Sequence, residues 1–544
     1  MSPCSHDRAR ASTRRCRPTP ARPSPTTSGC SIVLRRRRRR FGWKEKRCAR
    51  PCRGGSRERG SRTRRGGPAG HHSECFPRRR NRLRNQRPIL TATGEKLRCE
   101  GTLLFSRTAR PLASSAKISY WVWRVVELSR WFRGQDPAGS DTEDAEVDDP
   151  GSAATAVRAL EPVPFFSQAA SFESAWALIR ERIGAVFDNG KFSHGAQVAE
   201  FEEALAAYTG ARYAIGVNSG TDALVLLLRA CGLRPGDEVV VPAFSFVATA
   251  SSVVLAGGRP RFADIDPATY ALDPAEVDRR AGPDSRFVLP SHLFWQMADM
   301  TGLAEAAAAH DLTVVEDSAE GIGMRQGGVH AGLHGAGGVL SFFPSKTLGA
   351  IGDAGAVLTD DPEVAELVSG LRHHGRLGRT LDNFPGISTE TALPGMNSKM
   401  DDIQAAVLLA KMTFLDRDIA RRAMLAEAYR QRLRDMPGIV RIPESAERGP
   451  GSNTVFYVYL IEVERRDELV EHLTWRGIGT ETYYPVPLHL QPCFAELGHA
   501  EGDFPHAEAA CSRAVALPLY PDLGVDQVDR VCEAIGEFCT GRNA

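Results

Sequence analysis

The chain has no uninterrupted apolar run of about 20 residues, so no membrane-spanning helix is expected. Its best candidate, Ile118 to Phe132, is short and broken by Arg124, Glu127 and Arg130. Paired cysteines are missing too. After residue 100 the only thiols are Cys231, Cys493, Cys511, Cys532 and Cys539, with no C-x-x-C or zinc spacing. Scattered single cysteines suit a reducing cytosol better than a disulfide framework. Methionine is absent between Met1 and Met297, and acidic residues are scarce at the start. The first hundred residues hold 30 Lys/Arg against six Asp/Glu. The formal net charge of +3 therefore hides a remainder that is acidic by about 20 charges.

Residues 1 to about 115 have little apolar surface to bury and no sustained helical or strand period. Arg35 to Arg40 form an unbroken arginine block among many Pro, Ser and Gly. Three readings compete: a nucleic-acid-binding tail, an organellar targeting peptide, and upstream GC-rich DNA translated from a start placed too early. The composition and the missing methionines favour the third. His71, His72 and Cys75 fall in this stretch and are not taken as a metal site. An acidic linker, Gln135 to Asp149, follows. The expected division is residues 1–150 as extension and linker, 160–425 as a large domain and 426–544 as a small one.

From Pro162 onward, short β-rich runs alternate with helical spacings. Helices are expected over Phe172–Phe187, Gln197–Tyr208, Ala223–Cys231 and Phe246–Leu255, with one long helix from Asp401 to Met424 or beyond. Strands are expected over Arg212–Val217, Glu238–Pro242, Arg261–Asp264, Phe287–Pro290, Thr313–Glu316, Val339–Phe343 and Gly355–Thr359. Such alternation implies an α/β fold with a mostly parallel sheet covered on both faces. Phe456 to about Thr540 reads strand–helix–strand–helix, a smaller C-terminal α/β domain.

Two side chains then stand out. Lys346 lies in Ser341-Phe342-Phe343-Pro344-Ser345-Lys346-Thr347-Leu348-Gly349, and a hydrophobic run upstream ends in Val314-Val315-Glu316-Asp317. An amine that can form a Schiff base and a buried carboxylate that can keep a pyridine nitrogen protonated are what pyridoxal 5'-phosphate (PLP) chemistry requires. Ser219-Gly220-Thr221-Asp222 lies between a strand and a helix start. The amides of Gly220, Thr221 and Asp222 and the Thr221 hydroxyl could hold a phosphate there, with Ser341 adding a hydroxyl. Alone, that tetrapeptide is an ordinary N-cap. Phe246 could stack on a cofactor ring or simply be core. Gly332, Gly335, Gly337 and Gly338 do not make a dinucleotide loop, because the strand follows them. His330 and His334 have metal-like spacing but lie in that Gly-rich turn without a carboxylate partner, and no metal site is assigned.

From about Pro164 to the C-terminus the chain resembles the DegT/DnrJ/StrS-type nucleotide-sugar aminotransferases of PLP fold type I. The resemblance rests on Phe201-Glu202, Ser219 to Leu224, Pro242 to Thr249, His292-Leu293 with Gln296 and Ala298-Asp299-Met300, Glu316 to Ala319, Ser341 to Gly355, Gly395 to Met400 and Tyr484 to Gln491, in family order. It implies that Lys346 carries the cofactor and moves protons, and that Asp317 pairs with the ring nitrogen. Phe246 would cover the ring, while Gly220, Thr221, Asp222 and Ser341 would hold the phosphate. Asn397, with Lys399, would reach the phosphate of a neighbouring copy in a homodimer. Two departures are visible. Glu320 stands where many members place Gln or His beside the cofactor's phenolic oxygen, and Trp295 replaces the usual glycine. The lysine favours a transaminase over the related dehydratases. The implied reaction moves an amino group from glutamate to a nucleotide-linked keto sugar, in the cytoplasm, and the Phe-Pro-Ser-Lys-Thr-Leu-Gly stretch hints at a 3-keto sugar. The alternatives are a cyclitol or aminoshikimate-type ring as substrate, or a non-catalytic regulator with a basic nucleic-acid-binding arm.

Overall fold

A computed structural model of the chain describes residues 161–541 apart from 168, 194 and 378–390, all within one compact unit, Glu146–Ala544. The arginine-rich stretch and the His71, His72 and Cys75 group lie outside the described residues.

Two helices open the described region, α1 (Ala169–Asn189) and α2 (Ala196–Thr209). The main sheet is then built from β1 (Tyr213–Val217), β2 (Glu238–Pro242), β3 (Arg259–Ala263), β4 (Ser285–Val288), β5 (Thr313–Val314) and β6 (Glu316–Asp317). A small hairpin, β7 (Arg325–Gln326) and β8 (Val329–His330), precedes the last two sheet strands, β9 (Gly338–Ser341) and β10 (Gly355–Thr359). Strands β3, β2, β4 and β5 pair in parallel, and β6 pairs in parallel with β9. Residues 313–317 join the two sets, because Val315 N–H donates to Val288 O and Asp317 N–H to Pro290 O. Only β10 runs against its neighbours, β9 and β1. The expected mostly parallel sheet is therefore present. Val239, Val240 and Val241 are all fully buried, as a strand covered on both faces requires.

Helices α3 (Gly220–Ala230), α4 (Val247–Ala256), α5 (Pro274–Arg280), α6 (Met300–Ala309) and α7 (Pro362–Leu371) belong to the same half of the chain. α3 starts earlier than its apolar spacing suggests, because Ser219 caps it: the Ser219 Oγ accepts from the Asp222 amide at 3.1 Å. The long helix expected from Asp401 is two helices, α8 (Asp402–Met412) and α9 (Leu415–Leu433). The break has no Gly or Pro to announce it. Thr413 turns its hydroxyl back onto Ala410 O, and Phe414 packs beside Ala175 and Ile179 of α1.

The expected domain division near residue 425 falls inside α9. Its Leu425, Tyr429 and Leu433 pack with the C-terminal layer. That layer is an antiparallel sheet of β11 (Ile439–Arg441), β12 (Tyr459–Val463) and β13 (Ala514–Leu517). It is accompanied by α10 (Arg466–Trp475), α11 (Pro505–Arg513) and α12 (Val525–Thr540). Among the described residues, no helix is long and apolar enough to cross a membrane.

Candidate active site

The carboxyl ends of β4 and β6 and the loop after β9 place the candidate groups together. Asp317 ends β6 and is 7% exposed. Its Oδ2 accepts from Thr249 Oγ1 at 2.7 Å and from Ser291 Oγ at 3.4 Å, while Oδ1 accepts from the Ala319 amide at 3.2 Å. Ser245 completes a buried hydroxyl cluster with Thr249 (2.7 Å) and Ser291 (3.1 Å). The bonds Asp317 makes are thus to hydroxyls and an amide rather than to a cation.

Lys346 sits in the turn between β9 and β10, its amide donating to Phe343 O at 2.8 Å. Its side chain is 16% exposed. The ammonium lies 2.9 Å from Glu320 Oε1 and 4.3 Å from the centroid of the Tyr457 ring. The other Glu320 oxygen accepts from the Phe294 amide at 2.9 Å. Burial by itself would lower the Lys346 pKa, but the Glu320 carboxylate, with Tyr457 and Asp317, outweighs it and the net direction is upward. Around this group stand aromatic rings. Phe246 is exposed at the N-cap of α4 with its ring 6.2 Å from Tyr484, and Tyr484 packs on Phe244 and Phe294. Burial, then the Glu320 charge, push the Tyr484 phenol well above its usual range.

The side expected to receive a phosphate is formed by the start of α3. Its first amides, Gly220 and Thr221, have no acceptor within the helix. Ser341 lies against Gly220 so closely that a Cβ there would come within 2.8 Å of the Ser341 Cβ. Gly355 is equally constrained, since a Cβ on it would meet the Ser219 backbone at 2.5 Å. Asp222 departs from its expected part: its amide is taken by Ser219 and its carboxylate accepts from Ser398 Oγ at 2.6 Å. The cradle offered is therefore Gly220, Thr221 and Ser341. Asn397 is exposed and accepts from Lys399, whose backbone bridges to Val217 at the end of β1.

Several contributors escaped sequence reasoning. Thr249 lies three residues after Phe246 on α4, and a helical-face argument would have turned it inward. Tyr457 comes from the segment just before β12, more than a hundred residues from Lys346. Glu316 and His292 form a fully buried pair at 2.9 Å. The His292 Nδ1 accepts from the Ala298 amide, so its Nε2 carries the proton and donates to Glu316. Glu316 also accepts from the amides of Gly332, His334 and Gly335. The glycine-rich turn thus wraps a carboxylate after all, through its backbone. His330 is likewise structural, accepting from the Gly323 amide. Trp295 is buried filling: it stacks on Phe294 and Phe456 and donates its indole N–H to Glu444 O.

Residues 176–536 match the DegT/DnrJ/EryC1/StrS aminotransferase family. The chain belongs to that family. Among its relatives, dTDP-3-amino-3,4,6-trideoxy-alpha-D-glucose transaminase of Streptomyces venezuelae is 39% identical over 69% of this chain and 96% of its own length. A "pleiotropic regulatory protein" of Geobacillus stearothermophilus is also 39% identical, over 69% of this chain and 98% of its own. The crystal structure of NtdA from Bacillus subtilis, with bound cofactor PMP, superposes with a TM-score of 0.63 at 33% identity, covering 71% of this chain and 86% of that one. The fold is PLP fold type I, and the protein is a PLP-dependent aminotransferase. When bound, PLP supplies an electron sink that makes a substrate C–H bond acidic. The residues present fit it: an amine, a buried carboxylate held by hydroxyls and an amide, and helix-start amides at Gly220 and Thr221 packed too closely on Ser341 for a Cβ at Gly220.

Proposed function

We propose that this aminotransferase moves an amino group from glutamate to a keto sugar carried on a nucleoside diphosphate, at the sugar's C3, in amino-sugar biosynthesis. The observation that carries the reading is the grouping of Lys346, Glu320 and Asp317 in one aromatic-walled cup. The name of the Streptomyces relative, a transaminase for a dTDP-linked 3-amino sugar, supports the substrate class. In this reading Lys346 anchors the cofactor and moves the proton, Asp317 holds the ring nitrogen's charge, and Phe246 and Tyr484 exclude water. Gly220, Thr221 and Ser341 hold the phosphate.

The protein is further proposed to be a homodimer in which Asn397 and Lys399 reach the neighbouring copy's phosphate. Among the described residues the five cysteines are unpaired, two of them buried, which supports a cytoplasmic site of action. The experiment is turnover of a dTDP-linked 3-keto sugar with glutamate, read by product mass. An amino-sugar product supports the proposal. Turnover of a cyclitol instead would move the reading to that ring, and a purely regulatory role is ruled out by any catalytic turnover.

A further inference from the structure

The Lys346 ammonium has Glu320 Oε1, at 2.9 Å, as its side-chain acceptor among the described residues. That carboxylate cannot swing away easily, because its second oxygen is tied to the Phe294 amide at 2.9 Å. Water competes weakly, with the two side chains 16% and 4% exposed. Tyr457 presents its ring face to the ammonium, while its hydroxyl meets Ser345 at 3.2 Å and Tyr483 at 3.4 Å. The ring stabilises the cation without offering a place for its proton. An amine that attacks a carbonyl, or takes a proton from carbon, has to be neutral when it does so.

We infer that Glu320 is a catalytic residue that exchanges a proton with Lys346. An N–H bond of the ammonium breaks and an O–H bond forms at Oε1, giving a neutral amine and a neutral carboxylic acid; the reverse transfer restores the ion pair. The net charge of the pair is zero in both states, so the exchange places no isolated charge in a poorly solvated cup. The inference rests on Lys346 being the cofactor-bearing amine and is independent of which sugar is used.

The test is competitive acetic anhydride labelling of the cofactor-free protein across pH, with Lys346 read by peptide mass spectrometry. Labelling needs the neutral amine, so its midpoint reports the Lys346 proton directly. In the wild type the midpoint is expected above the ordinary lysine value of about 10.4. Glu320→Gln should lower it by about one to three pH units. The same variant should capture added PLP at least tenfold faster at neutral pH, yet exchange the α-deuteron of labelled glutamate at least tenfold more slowly. Opposite changes of that kind do not follow from a merely structural ion pair. An unmoved midpoint, or both rates falling together, overturns the inference. Should Glu320→Gln not fold, a wild-type midpoint at or below that of free lysine overturns it equally. Lysine-linked PLP persisting in Lys346→Ala would sink the anchor assignment, and this inference with it, by a separate readout.

Discussion

Asp317 and Glu320 stand three residues apart at the end of one strand, and both are buried carboxylates, yet opposite kinds of partner hold them. Asp317 is surrounded by hydroxyls and an amide; Glu320 is locked onto an ammonium. The first arrangement meets its carboxylate with neutral hydrogen-bond donors, two hydroxyls on one oxygen and an amide on the other. The second has its counter-charge already and shares its proton with it. Identical chemistry three residues apart thus serves two tasks, and the partners decide which.

The comparison is broken most severely at its shared neighbour. Lys346→Ala should reduce transamination by at least about 10³-fold in a steady-state assay, since the anchor and the general acid/base vanish together. Asp317→Asn comes next, with an expected loss of about 10² to 10³-fold in kcat, because a neutral amide no longer holds a ring cation. PLP titration by absorbance should show weaker cofactor binding in the same variant. Thr249→Val probes how Asp317 is held. A hydrogen bond to a charged group is worth about 1.5–3 kcal/mol, so kcat/KM should fall by about tenfold or more with the fold intact by circular dichroism. Tyr457→Phe is the mildest. It keeps the ring beneath the ammonium and removes only the hydroxyl links, so kcat should change by no more than about fivefold. A loss near that of Lys346→Ala would show that the hydroxyl, not the ring, carries the role.

The places of Lys346 and Asp317 in the fold were legible from sequence because each ends or follows a β-rich run whose pattern is local. Glu238–Pro242 matches its expected strand because three consecutive valines covered on both faces leave few other choices, and Gly355–Thr359, buried along its whole length, matches as well. What could not be read depends on distant partners. The break at Thr413–Phe414 is set by packing against α1, and the work of Tyr457 is set by a turn far upstream. Asp222 looked like a phosphate ligand from its place in the loop, but Ser219 and Ser398, the latter 176 residues away, had claimed both its amide and its carboxylate. Glu320 could be marked as unusual, yet its role emerged only with the position of the Lys346 amine.

The most direct test is to reduce the PLP-loaded protein with borohydride and map the modified peptide by mass spectrometry. The account predicts the cofactor fixed on Lys346 of the Ser341–Gly349 segment and on no other lysine. Fixation on Lys411 or Lys399, or none after loading with excess PLP, would contradict it.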